Sequence, residues 1–488
     1  MKLKAKALLL LPLLAAGLSA TGCGDNFKGI TIKFWHTFGQ TVQDGLKPKI
    51  NAFVKAVKEQ DGVDVRVKMV YQGSYDDIAK KIADGYSVNN RPTIAVAYPD
   101  NVADYLEIGK SSNKEFVVNL DKYINDSTVG FGKESWLGDV AGKDETDFVE
   151  DFYAEGKGYA VEGTYSLPFM KSTEIMFYNM TLLKAFMPGF EPTVGSSEEL
   201  IKEYMSTITW DRFMELCAHI EANKDAMGVG ETLEVPAWYD SDANMLVSKM
   251  FQNNIGYSAV TSEGRGNILF AEGENRANLQ NLLETLNTQY QNNLFTTKGI
   301  KNTYGSDFFT GERCVFSIGS SGGSGYNFPQ AEAFDLGVCR VPASNNNALY
   351  VSQGPTLAIF NDNGLSSEKN AQTTLYAWKF MKYITNGQAN AELCVNGSEG
   401  YAPVRYSAYE SEFFQEFMEE GEQYAKCYDV IVNDINVNAG YLVAPAFKGS
   451  AALRDECGSL LTAAIRATNQ ADIPGLIDRC ISNARQKF

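Results

Sequence analysis

Apolar residues alternate with polar ones in several short runs and recur every third or fourth position in the stretches between them. Gly29 to His36 alternates as a strand does, and Val63 to Tyr71 alternates more cleanly. Between them, Leu46 to Val57 has helical spacing, so the chain opens as a β-α-β unit that points to a parallel sheet. A turn at Gln72-Gly73-Ser74 leads into a helix capped by Ser74 or Asp76, with Ile78, Ala79, Ile82 and Ala83 on its apolar face. Pro92 to Tyr98 reads as a buried strand. Helices are expected over Trp210 to Asn223, Asn275 to Tyr290, Ala371 to Ile384 and most of 450–486, with a break near Pro474-Gly475. Cys314 to Ile318, Phe334 to Val341 and Leu357 to Phe360 read as strands. Residues 128–163 are polar, rich in Gly and Asp and without periodicity, which predicts a surface insertion. Strands and helices interleave with no repeat and no long linker, so two α/β lobes are expected.

The first 22 residues stand apart from this pattern. A basic start with Lys2, Lys4 and Lys6 precedes the apolar run Ala7 to Leu18, and small residues lead to Cys23. This is an export leader, too short to remain as a membrane span. The residues before Cys23 resemble a bacterial lipobox, with Ala20 where leucine is usual, which implies cleavage before Cys23 and a lipid on its sulfur. Seven further cysteines have no C-x-x-C spacing, which argues against a zinc or redox motif. Lys and Arg number 43 against 60 Asp and Glu, a net charge of −17, which argues against nucleic acid or an anionic membrane surface as partner. The 25 tyrosines and 5 tryptophans suit a surface that stacks on sugars, although cores use them too.

The candidate chemistry centres on Ser317 to Asn327, SIGSSGGSGYN, where a predicted strand runs into four glycines and three further serines. Glycines let backbone approach a ligand, and hydroxyls and free N–H groups grip oxygens. Gly319-Ser320-Ser321-Gly322-Gly323 also matches the G-x-S-x-G nucleophile elbow. That chemistry needs a histidine later in the chain, and the two histidines, His36 and His219, both precede Ser321. The loop is therefore read as binding rather than reacting. Asp240-x-Asp242-x-Asn244 begins like a calcium loop but has Met245 and Phe251 where glycine and glutamate are required. No metal site, nucleotide motif or cofactor is expected.

Several stretches, taken in order, resemble the extracellular solute-binding proteins of ABC importers (carbohydrate-type, family 1), and the glycerol-3-phosphate binders most. They are Ile32 to Thr37, Tyr71 to Tyr75, Leu167 to Thr173 with Phe177-Tyr178-Asn179, Phe309 to Cys314 with the serine loop, Gly354 to Leu357, the Trp378 helix, and Gly400 to Val404. The resemblance implies an α/β, two-lobed periplasmic-binding-protein-like fold with a ligand cleft and three crossover segments, near 170, 338 and 405. The lobes would be 23–170 plus 338–405 and 171–337 plus 406–488. It implies an exported, lipid-anchored, non-enzymatic receptor that passes a sugar, glycerol phosphate or related polyol to ABC permease subunits. Ligand contacts carried over are Tyr75, Ser172, one of Ser320 and Ser321, the Gly354 N–H and Tyr401. Arg454 matches an arginine whose fork would hold a phosphate or other anion; an ion pair with Asp455 or Glu456 is its bland alternative. Trp238 and Tyr239 fall where relatives carry stacking aromatics, with core packing as the alternative, and Trp35 is assigned to the core. Where the glycerol-phosphate binders place an acidic contact, this chain departs from the pattern with Tyr98-Pro99, and Asp100, the next residue, is a candidate substitute. The competing readings are an extracytoplasmic carbohydrate-active enzyme using a carboxylate pair and a structural surface lipoprotein.

Overall fold

A computed structural model describes residues 27–488 apart from 86–90, 113, 331–332, 345–346, 363, 398–399 and 421–422. The leader and Cys23 lie outside the described residues. The first strands are β1 (Ile30–His36), β2 (Val65–Tyr71), β3 (Ile94–Ala97) and the short β4 (Leu167–Pro168). Then come β5 (Glu174–Asn179), β6 (Ala237–Tyr239), β7 (Phe295–Thr297), β8 (Phe316–Ser320) and β9 (Leu336–Arg340). The chain continues with β10 (Leu349–Val351), β11 (Thr356–Ile359) and β12 (Gly440–Leu442). The helices that matter for the site are α1 (Gln40–Asp61), α2 (Tyr75–Gly85), α3 (Pro99–Ser111), α4 (Asp242–Gln252), α5 (Ser367–Ile384), α6 (Gly387–Gly397), α7 (Ser450–Arg466) and α8 (Ile473–Arg485).

Two mixed five-stranded sheets make two lobes. The first has the order β2-β1-β3-β11-β4, and the second β9-β5-β8-β6-β7. The β-α-β start is parallel as its pattern predicts, with β1 beside β2 and β3. Strand β11 joins the same sheet antiparallel, because it arrives from the other lobe rather than over a helix. Helix α1 extends beyond the predicted turns. It buries Val42, Leu46, Ile50, Phe53 and Val57 at spacings of three and four residues and stops at Gly62, whose φ of 70° only glycine adopts cheaply. Ser74 caps α2: its Oγ accepts from the Asp77 N–H at 3.1 Å, and Asp77 accepts in return from the Ser74 N–H at 2.9 Å.

The three crossovers lie side by side and hydrogen-bond to one another. Lys171 and Ala402 exchange both backbone bonds, at 3.0 and 2.6 Å, and Ser172 and Gln353 do the same at 2.9 and 2.8 Å. The second pass thus runs between Arg340 and Thr356. Position 338, the boundary suggested by the resemblance, falls inside β9, where Val338 pairs with Phe177. A small sheet of β10 and β12 lies beside the crossovers, and the Asp151 carboxylate accepts from the Tyr441 N–H at 2.7 Å.

Residues 128–163 are not a loose surface insertion. Phe131, Leu137, Phe148, Val149 and Phe152 are buried in the first lobe. The anchor is Lys382 of α5, whose fully buried ammonium donates to Val129 O, Gly130 O, the Glu134 carboxylate and the Asp139 carboxylate at 2.9–3.0 Å. Asp139 accepts in addition from the Gly132 and Lys133 N–H groups. The seven described cysteines are buried, and no disulfide forms among them. Among the described residues no helix is long and apolar enough to cross a membrane.

Removing one partner of such a buried ion cluster leaves uncompensated charge. Lys382→Ala is therefore expected to lower stability by about 3–5 kcal/mol. Urea unfolding checks this through a lower midpoint at unchanged slope.

Candidate functional site

The carboxyl ends of β3, β4, β8 and β9 and the amino ends of the antiparallel β5 and β11 lie toward the crossovers. On the second-lobe side of the crossovers lies a cavity of about 720 Å³. The second lobe supplies Glu174, Asp240, Asn244, Lys298, Asp307 and Ser320 to its lining, while Gln353 and Tyr401 come from the crossovers.

The serine loop divides its two candidates where β8 ends and a 3-10 turn, Ser321–Asn327, begins. Ser320, at the end of β8, lines the cavity and its Oγ donates to Ser172 Oγ at 3.2 Å. Ser321 points the other way and is fully buried. Its N–H donates to Thr173 O at 2.7 Å and its Oγ accepts from the Thr173 N–H, so it fastens the loop to the first crossover. Gly322 lets the loop pass Tyr401, whose Cζ would lie 3.2 Å from a Cβ built there. Gly354 has φ of 92°, and a Cβ there would meet Met170 O at 2.3 Å, so only glycine fits between the passes.

Three tyrosines gather on the first-lobe side. The Tyr75 and Tyr98 rings are 4.5 Å apart. Burial, with Tyr98 and Tyr401 close by, drives the Tyr75 phenol well above its ordinary pKa, and the Thr37 hydroxyl opposes this. Tyr98, raised mainly by burial, feels the Arg454 charge and the Gly354 N–H. The Gly354 N–H is therefore directed at Tyr98. Asp100 does not line the cavity; it accepts from Ser450 Oγ at 2.5 Å, at the start of α7. Asp104 sits beside it, held up to about 6 by burial while the Gly449 N–H opposes the shift. Two carboxylates of α3 thus meet the positive end of α7 from the other lobe.

The structure corrects the aromatic pair. Trp238 is fully buried, its ring 4.2 Å from that of Phe308, and it belongs to the core of the second lobe. Tyr239 lies beneath the cavity and donates its hydroxyl to Glu174 Oε2. Asn244 Nδ2 donates to Glu174 Oε1 at 2.9 Å, and Arg454 Nη2 donates to Asn244 Oδ1. Arg454 does not itself line the cavity; it joins the lining through Asn244, and among the described residues it makes no ion pair with Asp455 or Glu456. Trp35 is core, as expected.

Glu174, Asn244 and Asp240 were not singled out from sequence as ligand-facing residues. A signal existed for Glu174: it opens a strand, EIMFYN, that is otherwise apolar but for its last residue, directly after Ser172-Thr173. Asp240 and Asn244 belong to the rejected calcium-like stretch. Among the described residues no acidic cluster could hold a metal ion there; Ser241 instead caps α4 through the Asn244 N–H, which sets both side chains at the cleft. Burial raises Glu174 to about 7, against the hydrogen bonds of Tyr239 and Asn244, and raises Asp240 to about 6 against the Gly305 N–H. His36 is buried and held down to about 4, and its Nδ1 accepts from the Phe38 N–H at 3.2 Å.

A family model described as bacterial extracellular solute-binding protein matches residues 52–419. The chain belongs to this family. This solute-binding protein is 22% identical over 393 residues to the sn-glycerol-3-phosphate-binding periplasmic protein UgpB of Pectobacterium atrosepticum, covering 80% of this chain and 76% of that one. Its fold matches the cyclic alpha-maltosyl-1,6-maltose binding protein of Arthrobacter globiformis, with a TM-score of 0.65, 15% identity, and 93% and 99% of the two chains covered. UgpB of Mycobacterium tuberculosis, solved with glycerophosphocholine, gives a TM-score of 0.62 and 16% identity over 93% and 98% of the chains. The sugar-binding protein MalE of Xanthomonas citri gives 0.64 and 15% over 93% and 98%. The two-lobed α/β architecture is common to all of them.

Folded solute-binding protein holds the Glu174 proton more tightly than the unfolded chain does. The stabilisation from that proton is full below the unfolded value of 4.5 and is lost as pH rises to about 7. Glu174→Gln is expected to flatten that part of the stability–pH curve, measured by urea unfolding between pH 4.5 and 8.

Proposed function

We propose that this protein is the lipid-anchored, substrate-binding component of an ABC importer. It captures a sugar or glycerol-phosphate-type solute between its lobes and delivers it to a permease. The observation that carries the reading is the cavity at the paired crossovers. Residues of the second lobe and of the crossovers line it, and Tyr75 and Tyr98 of the first lobe stand close to its Tyr401, so a solute that reaches from this lining to those tyrosines favours the closed arrangement. Its lining suits a polyhydroxylated solute: carboxylates and amide oxygens accept from hydroxyls, while Asn, Lys and Ser groups donate to them. Tyr401 lines it, with Tyr75 and Tyr98 of the first lobe close by. Arg454, at the edge of the same network, is the group for an anionic substituent.

Binding rather than turnover is supported by the state of the polar groups. Ser321 is buried and tied to Thr173, and His36 is neutral, buried and engaged by backbone. The relatives' ligands are sugars and glycerol phosphates, which fits the same lining. Cys23, at the lipobox-like stretch, is the attachment point for lipid.

A thermal-shift panel of glycerol-3-phosphate, glycerophosphodiesters and neutral mono- and oligosaccharides tests the reading. A true ligand at about 100 times its Kd adds roughly 2.7 kcal/mol of stability and is recovered unchanged. Consumption of an oligosaccharide would make the protein an enzyme, and no response to any solute would favour a structural lipoprotein. Cys23→Ser is expected to move the protein out of the membrane fraction.

A further inference from the structure

Three elements of the second lobe converge beneath the cleft through one chain of hydrogen bonds. Glu174 opens β5, Asn244 lies in the first turn of α4, and Arg454 lies in α7. Glu174 is 2% exposed and both its oxygens are occupied, one by the Tyr239 hydroxyl and the other by Asn244 Nδ2 at 2.9 Å. An amide has one donor end and one acceptor end. Because Glu174 takes the donor end of Asn244, its acceptor end must face Arg454, where it receives Nη2. The orientation of the guanidinium is therefore set by a carboxyl group that it does not touch.

The charges agree with this arrangement. Glu174 is faced by the Tyr239 phenol of β6, by Asp240 just beyond it, and by Arg454 of α7. Farther round the cavity are Asp307 and Lys298. A fully ionised phosphate brought here would add negative charge to a partly desolvated site already holding three carboxyl groups. Sugar hydroxyls bring none, and they can donate to the carboxylates while accepting from the guanidinium.

We propose that Glu174 sets the charge preference of the cleft: acting through Asn244, it holds the Arg454 guanidinium and offsets its charge, so that the floor suits neutral polyhydroxylated solutes and disfavours fully ionised anions. This rests on the receptor reading above and narrows its ligand. Glu174 is a positioning residue, and its effect depends on its own ionisation. Burial puts that near 7, so the offset weakens as the pH falls below neutrality.

Sulfate is a suitable probe, because its charge does not change between pH 6 and 8. Its affinity is measured at constant ionic strength for the wild type, Glu174→Gln, and Glu174→Gln combined with Arg454→Gln. At pH 8 the single variant is expected to bind sulfate about tenfold more tightly than the wild type, as loss of one nearby like charge implies. The gap closes toward pH 6 as wild-type Glu174 takes up its proton, and the double variant loses the gain. Equal affinities at pH 8, a gap independent of pH, a gain that survives Arg454→Gln, or no sulfate binding by any form would overturn the proposal. Should Glu174→Gln fail to fold, the wild type and Arg454→Gln decide. Wild-type affinity should rise from pH 8 to 6 with a midpoint near 7 and be lost in the variant, and a flat profile overturns the proposal. The neutral-solute panel is scored separately on the wild type: its failure removes the receptor reading, whereas the sulfate comparison bears on Glu174 alone.

Discussion

The backbone pairing of the three crossovers is the constraint on which the rest of the molecule depends. Lys171 lies against Ala402, and Ser172 lies against Gln353. Each pass fixes the next, so the two sheets are joined by a narrow ladder rather than by three independent tethers. The Lys171 ammonium, buried within it, pairs with Glu155 and reaches Gly354 O at 3.4 Å. A buried charge so placed disfavours any slip of register, because every alternative leaves it unpaired. The serine loop hangs from the same ladder through Thr173 and Ser321, and the Ser320–Ser172 bond brings its cavity-facing hydroxyl to the first pass. The hydroxyl that faces the cavity thus sits on the segments that join the lobes.

Electrostatics in the cleft differ from those of the chain as a whole. A net charge of −17 describes a surface of excess carboxylates, but the field felt by a solute comes from a few desolvated groups. Two carboxylates of α3 meet the start of α7 across the lobes, and Arg454 lies on the next turn of that helix. The same helix is therefore touched by the first lobe at its first turn and by the Glu174 network just beyond. Contact between the lobes and orientation of the guanidinium are communicated through one rigid element.

The architecture was legible in sequence because it rests on the order of local patterns: alternation in β1 and β2, helical spacing in α1 and α5, and the Gly-Ser loop after a strand. The family resemblance rested on that order too. What local pattern could not carry was which way a side chain points or which distant group it meets. Ser320 ends β8 and Ser321 opens the 3-10 turn that follows, and that boundary becomes visible once β8 is paired. Trp238 and Tyr239 look like a stacking pair, yet pleating sends the ring of one into the core and the hydroxyl of the other to Glu174. Residues 128–163 lack periodicity because their order comes from Lys382, some 250 positions away. The resemblance puts the second crossover near 338, but which sheet that strand joins is settled by its pairing with β5, which carries the pass beyond Arg340.

The buried cysteines have a practical side. Burial raises the thiols of Cys217, Cys314 and Cys394 well above their usual range, and the hydrogen bond with Cys480 together with burial does the same for Cys457, so none of these is a ready thiolate. A chain begun after Cys23 therefore offers a quiet background for site-directed labelling. Single cysteines placed at Tyr71 and Tyr326, exposed residues on opposite lobes, would take a donor and an acceptor dye without removal of any native sulfur. The distance between them would report the opening and shutting of the lobes in real time.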